Sequence, residues 1–77
     1  MPIFDKELDT LGLNCPMPIM KTKKMLQSLA AGQVLHLLAT DPGTRSDIPA
    51  LVGKTGDQIV ETSEEGGKIH FYIKKAS

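Results

Sequence analysis

Cys15-Pro16-Met17-Pro18 gathers the residues of this chain best suited to chemistry. Cys15 is the sole cysteine, so it can make neither an internal disulfide nor a thiolate metal cluster. It acts alone or with a second molecule. Read as a helix N-cap, Cys15 precedes Pro16 at the first helical position, where proline is favoured. Pro18 then falls at the third position. Neither proline has an N–H, which removes two of the orphan donors of a helix start. The Met17 N–H remains and is expected to point back at the sulfur. The partial positive charge of the helix start works in the same direction. Pro16, Met17 and Pro18 would thus support an anionic sulfur at Cys15, and thiolate is the nucleophilic form. A free cysteine is often a small buried hydrophobe. A strand-to-helix turn between Asn14 and Pro16 argues here for the surface.

The residues that follow suggest how a second molecule could approach. On a helical wheel Met17, Lys21, Lys24 and Ser28 lie opposite the apolar stripe, with Met20 beside them. Methionines on that side would form an adaptable docking surface, although methionine equally serves as core filler. Lys21 and Lys24 could steer an acidic partner, or simply be a solvated face. Arg45 could pair with an anionic sulfur or a partner, or with Asp41 or Asp47. His36 and His70 fall in mid-strand, too far along to serve Cys15 as a base. Without a base nearby, hydrolysis through an acyl-enzyme is not expected.

These residues need elements to hold them. Lys6 to Thr10 alternates polar and apolar as a short edge strand. Pro16 to Ala30 reads as a helix, with Ile19, Thr22, Leu26 and Leu29 on one stripe and Gly32 as a stop signal. Val34 to Thr40 is nearly all apolar, as a central strand would be. Asp41-Pro42-Gly43-Thr44 turns into a second helix, whose stripe is Ile48, Leu51 and Val52. Thr44 and Asp47 fit a capping box. Pro49 fits badly inside such a helix, so Asp47 is an alternative cap. Gly53 and Gly56 close the helix. Gln58 to Thr62 is a strand, and Glu64 to Gly67 a hairpin turn. Lys68 to Lys74 alternates cleanly: Ile69, Phe71 and Ile73 inward, His70, Tyr72 and Lys74 outward. The order is βαβαββ. Right-handed crossovers put both helices on one sheet face, with the first three strands parallel and the last antiparallel. The parallel βαβ unit brings Thr40, Asp41 and Arg45 towards the start of the first helix. His36, His70 and Tyr72 would lie on the other face.

Composition removes several function classes. The 77 residues are expected to form one domain, 1–77. A domain of this size hides only ~60% of its unfolded surface, too little for both a core and a deep cleft. Lys and Arg number nine, as do Asp and Glu. With no basic field and Phe4, Phe71 and Tyr72 the only aromatics, direct nucleic-acid binding is not expected. No signal peptide or bilayer-spanning run is evident, so a cytoplasmic location and no membrane partner are expected. A monomer without cofactor or metal is expected.

Leu8-Asp9, Gly12-Leu13, Cys15-Pro16-Met17-Pro18, Lys23, Gly32, Asp41-Pro42 and Asp47-Ile48-Pro49, in this order and spacing, resemble the TusA/SirA-like sulfur-carrier family. The resemblance covers nearly the whole chain. It implies a two-layer α/β sandwich, a four-stranded mixed sheet with two helices on one face, like the C-terminal domain of translation initiation factor three. It implies a persulfide on the cysteine of C-P-x-P, here Cys15. It also implies partners: a cysteine desulfurase or rhodanese as sulfur donor and an acceptor protein. The acceptor would serve tRNA thiolation, cofactor assembly or dissimilatory sulfur oxidation. Many members have a basic residue before the cysteine, where this chain has Asn14. Such a protein is a sulfurtransferase-type carrier more than a turnover enzyme, working by thiol–persulfide exchange. The rival readings are a redox or regulatory partner that forms mixed disulfides through Cys15, and an RNA-binding module.

Overall fold

Alternating strand and helix signals produce alternating elements in a computed structural model, which describes residues 4–14 and 16–76. They are β1 (Lys6–Thr10), α1 (Met17–Ser28), β2 (Val34–Ala39), α2 (Thr44–Thr55), β3 (Gln58–Glu65) and β4 (Lys68–Lys74). The sheet order is β1-β2-β4-β3. β1 pairs parallel with β2, and β4 pairs antiparallel with both β2 and β3. The first three strands therefore share one direction. β4 is threaded between β2 and β3, and its flanking Gly66 and Gly67 both have positive φ, as a tight hairpin requires.

One sheet face meets both helices. Leu35 and Leu37 of β2 and Ile69, Phe71 and Ile73 of β4 pack against Leu26 and Leu29 of the α1 segment and Ile48 and Val52 of α2. The helical stripes fall where their spacing puts them. Thr22, although polar, is buried and donates its hydroxyl to the Pro18 carbonyl at 2.7 Å.

The other face has no helix, yet part of it is dry. His36 and Tyr72 are only 5% and 1% exposed. The outward-pointing Tyr72 is on the expected face but not in water. Its ring stacks on His36 with centroids 4.5 Å apart, and Phe4 leans over both rings. Alternation fixes the side of the sheet, not what covers it.

The helix starts differ from expectation. The N-cap of α1 is Pro16, not Cys15, and α1 ends at Ser28, not Ala30. Neither Thr44 nor Asp47 caps α2. Its N-cap is Gly43, with no side-chain cap bond. The Thr44 hydroxyl turns back to the Asp41 carbonyl at 2.7 Å instead. Pro49 and Gly53 lie inside α2. Pro49 cannot donate to the Arg45 carbonyl four residues back. The helix nevertheless continues, because Ile48, Leu51 and Val52 beyond Arg45 are buried. Gly56, at φ 82°, ends it in left-handed conformation. β3 runs to Glu65, three residues past the expected Thr62.

Candidate functional site

The loop from β1 leads into the C-P-M-P stretch, whose Met17 and Pro18 already belong to α1, and hydrogen bonds pin this loop from both sides. The Leu11 N–H donates to the Asp9 carboxylate at 2.8 Å, and the Leu13 N–H to the Thr10 carbonyl at 3.1 Å. The Gly12 N–H donates to the Thr40 hydroxyl at 2.9 Å. Thr40 follows β2, so the parallel βαβ unit does bring the end of β2 to this loop. Gly12 has φ 78°, which a residue with a side chain rarely adopts.

Cys15 lies outside the described residues. Its bonded neighbours Asn14 and Pro16 are both exposed. The Met17 N–H does not remain open for the sulfur: it donates to the Asn14 carbonyl at 2.9 Å. The Met20 N–H donates to the Pro16 carbonyl at 3.0 Å. With proline at 16 and 18, most donors of this helix start are missing or engaged. The first turn of α1 also holds no acidic residue. What remains for an anion is the field of a helix end with no acidic residue in its own first turn.

The methionines take the solvent side. Met17 is 43% and Met20 60% exposed, so neither is core filler. Lys21 and Lys24 are exposed on the same helix. They border a shallow apolar cleft lined with Leu8, Met25 and Ser28. A second shallow groove joins the two helices and is lined by Pro16, Ile19, Asp47, Ala50, Leu51 and Lys54. Pro18 is buried and anchors the turn to the core.

Arg45 is engaged elsewhere. Its guanidinium grips both carboxylate oxygens of Glu64 on β3, the Nε bond measuring 2.9 Å. The pair raises the Arg45 pKa and lowers that of Glu64, chiefly through these hydrogen bonds. Thr10, Ala39, Ile69 and Glu64 share one end of the sheet by register. Glu64 stands two strands beyond β2, about 10 Å at the usual strand spacing. Arg45 thus reaches the expected end of the fold but is turned towards the far edge. His36 and His70 face away from the helices, on the opposite side of the sheet from α1. The sequence reading missed Thr40 as a tether of the loop. The signal was available in part, since the β2 end was already placed beside this loop.

Among the described residues no group of three His, Cys, Asp or Glu is placed to hold a metal ion, and no helix is long and apolar enough to cross a membrane.

Comparison with known proteins agrees with this architecture. The family described as Sulfurtransferase TusA matches residues 6–75. The sulfur carrier protein TusA of Allochromatium vinosum is 54% identical over 76 residues, covering 99% of this chain and all of that protein. The sulfur carrier protein TusA of Pseudomonas entomophila is 45% identical over 73 residues, covering 95% and 91% of the two chains. The crystal structure of a SirA-like protein from Desulfitobacterium hafniense superposes with a TM-score of 0.83 at 28% identity, over 95% of this chain and all of that one. With its sheet order, its C-P-M-P helix start and these matches along nearly its whole length, the chain belongs to the TusA family.

Proposed function

We propose that this protein is a sulfur carrier that holds sulfane sulfur as a persulfide on Cys15. The observation that carries the reading is the full-length match to sulfur carrier proteins, with Pro16 and Met17 of the C-P-M-P stretch exposed at the start of α1. The Cys15 thiolate attacks the outer sulfur of a donor persulfide. The donor S–S bond breaks, the donor thiolate leaves with the bonding electrons, and Cys15 becomes a persulfide. An acceptor thiolate then attacks that outer sulfur and regenerates the Cys15 thiolate. No net oxidation occurs, so the cycle needs no redox cofactor. Exchange requires thiolate character, access and a good leaving group. The exposed neighbours and a helix end with no acidic residue in its first turn are compatible with the first two.

The donor is a cysteine desulfurase or rhodanese, and the acceptor a thiol protein in tRNA thiolation, cofactor assembly or sulfur oxidation. The docking surface is Met17, Met20, Lys21 and Lys24. Arg45, engaged with Glu64, contributes only if a partner displaces that carboxylate. The setting is the cytoplasm, where reducing conditions keep a lone thiol free.

Mass spectrometry after incubation with a persulfide-loaded donor tests the reading. One added sulfur atom is expected on the protein and none on Cys15→Ser, which should melt like the parent. Sulfur on the serine variant would refute Cys15 as the carrier. A disulfide adduct of donor and carrier as the only product would favour the redox-partner reading.

A further inference from the structure

The helix-free face holds an array that the sulfur chemistry does not use. The His36 Nε2 and the His70 Nδ1 are 2.9 Å apart. The two rings are within 12° of parallel, with centroids 5.2 Å apart. That separation is little more than the N···N distance plus the two ring radii. The rings therefore meet edge to edge, with the two nitrogens on the line between their centres. Such a head-on bond has room for one proton and for no metal ion.

The other end of the array fixes which nitrogen carries that proton. The His36 Nδ1 is buried and has no hydrogen-bond partner within normal distance. The group facing it is the Glu7 carboxylate, at 3.7 Å. A carboxylate only accepts hydrogen bonds, so it favours a proton on the His36 Nδ1. A neutral His36 then has a lone pair on Nε2, and the His70 Nδ1–H must donate to it.

We propose that Glu7, His36 and His70 form a one-proton site, with both Nδ1 atoms protonated in the neutral pair and room for a single added proton. The added proton distributes over the 2.9 Å bond: as imidazolium on half-buried His70, or, by transfer along the bond, on His36 beside Glu7. Both forms keep the bond. A second proton would set N–H against N–H and break it, and with it the packing of Tyr72 and Phe4 over this face.

The surroundings are consistent with a limited uptake. Burial is the largest influence on His36 and pushes its pKa below the ordinary 6.5, the His70 ring adds to this, and Glu7 opposes it. β1 contributes Glu7, and β4 contributes His70 and Tyr72. β3 sets Glu61 opposite Tyr72 and Ser63 opposite His70. Glu65 and Lys68 share a shallow cleft with His70. The unfolded chain takes a proton on His36 near the ordinary value and the folded one only at lower pH. The stabilisation from the neutral ring is thus full above about 6.5. It is lost as pH falls from there through the folded value.

These two are the only histidines of the chain, and Tyr72 is the only tyrosine, with no tryptophan. Nitrogen NMR of the imidazoles in the intact protein reads the site directly. Mildly alkaline solution should show both Nδ1 atoms protonated and both Nε2 atoms bare. Acidification should load one proton per folded molecule before the second, and Tyr72 emission should change with the later step. Glu7→Gln should move the first uptake to lower pH, since the carboxylate favours the charged ring. Opposite tautomers, or two histidines taking protons independently, would overturn the proposal without recourse to any variant.

Discussion

The two helix starts solve the same problem in opposite ways. At α2 the chain satisfies its own backbone. The N–H groups of Thr44, Arg45, Ser46 and Asp47 donate to the carbonyls of Asp41, Pro42, Gly43 and Gly43. Asp47 places a carboxylate in the first turn, where it balances the helix field. At α1 two donors are deleted by proline, the Met17 N–H is tied to Asn14, and no carboxylate is present. The α2 start is closed and neutralised, whereas the α1 start is stiff, donor-poor and without a carboxylate of its own. On the proposed function, a helix end that meets successive sulfur donors and acceptors would benefit from this arrangement. It offers a field to any anion without gripping one through several backbone bonds.

Giving α1 what α2 has should abolish the contrast. Met17→Glu puts a carboxylate in the first turn of α1. Alkylation of Cys15 by a small reagent at neutral pH should slow about two- to fivefold, with the fold intact. An unchanged rate would mean that the helix field does not act on the thiol. The converse change acts on stability: Asp47→Asn should cost α2 about 0.3–1 kcal/mol in denaturant titrations. The smallest effect belongs to Arg45→Gln. The Arg45–Glu64 pair is exposed and contributes little. Its depressed Glu64 pKa gives stability that is present above the ordinary carboxylate value and lost as pH falls through the folded value. A slightly lower melting temperature near neutral pH, converging with the parent in acid or high salt, is expected. A large loss would show the pair to be structural.

Much of this architecture was legible in the residues. Lys6–Thr10 and Lys68–Lys74 are strands at their expected limits, because alternation there is uninterrupted. The exposure of Met17 and Met20 follows from the stripe opposite them. Three things were not legible. The Met17 N–H was assigned to the sulfur, but a carbonyl three residues back competes for it, and residue types do not show that turn closing. Arg45 was weighed against Asp41 and Asp47, its sequence neighbours. Its observed partner Glu64 is reached only because the hairpin folds β4 inward and leaves β3 at the edge beside α2. His36 and Tyr72 were assigned to the correct face, but Phe4, from before β1, supplies a cover that strand periodicity cannot reveal.

The central position of β4 also bears on how the protein is made. β4 supplies Ile69, Phe71 and Ile73 to the core and is the strand that joins β2 to β3. While a ribosome still shelters residues 68–74, β2 and β3 have no strand between them and much of the core is missing. The emerging polypeptide must therefore wait, its β2 edge unpaired and open to chaperones or to misassociation, until β4 emerges and the sheet closes in one late step.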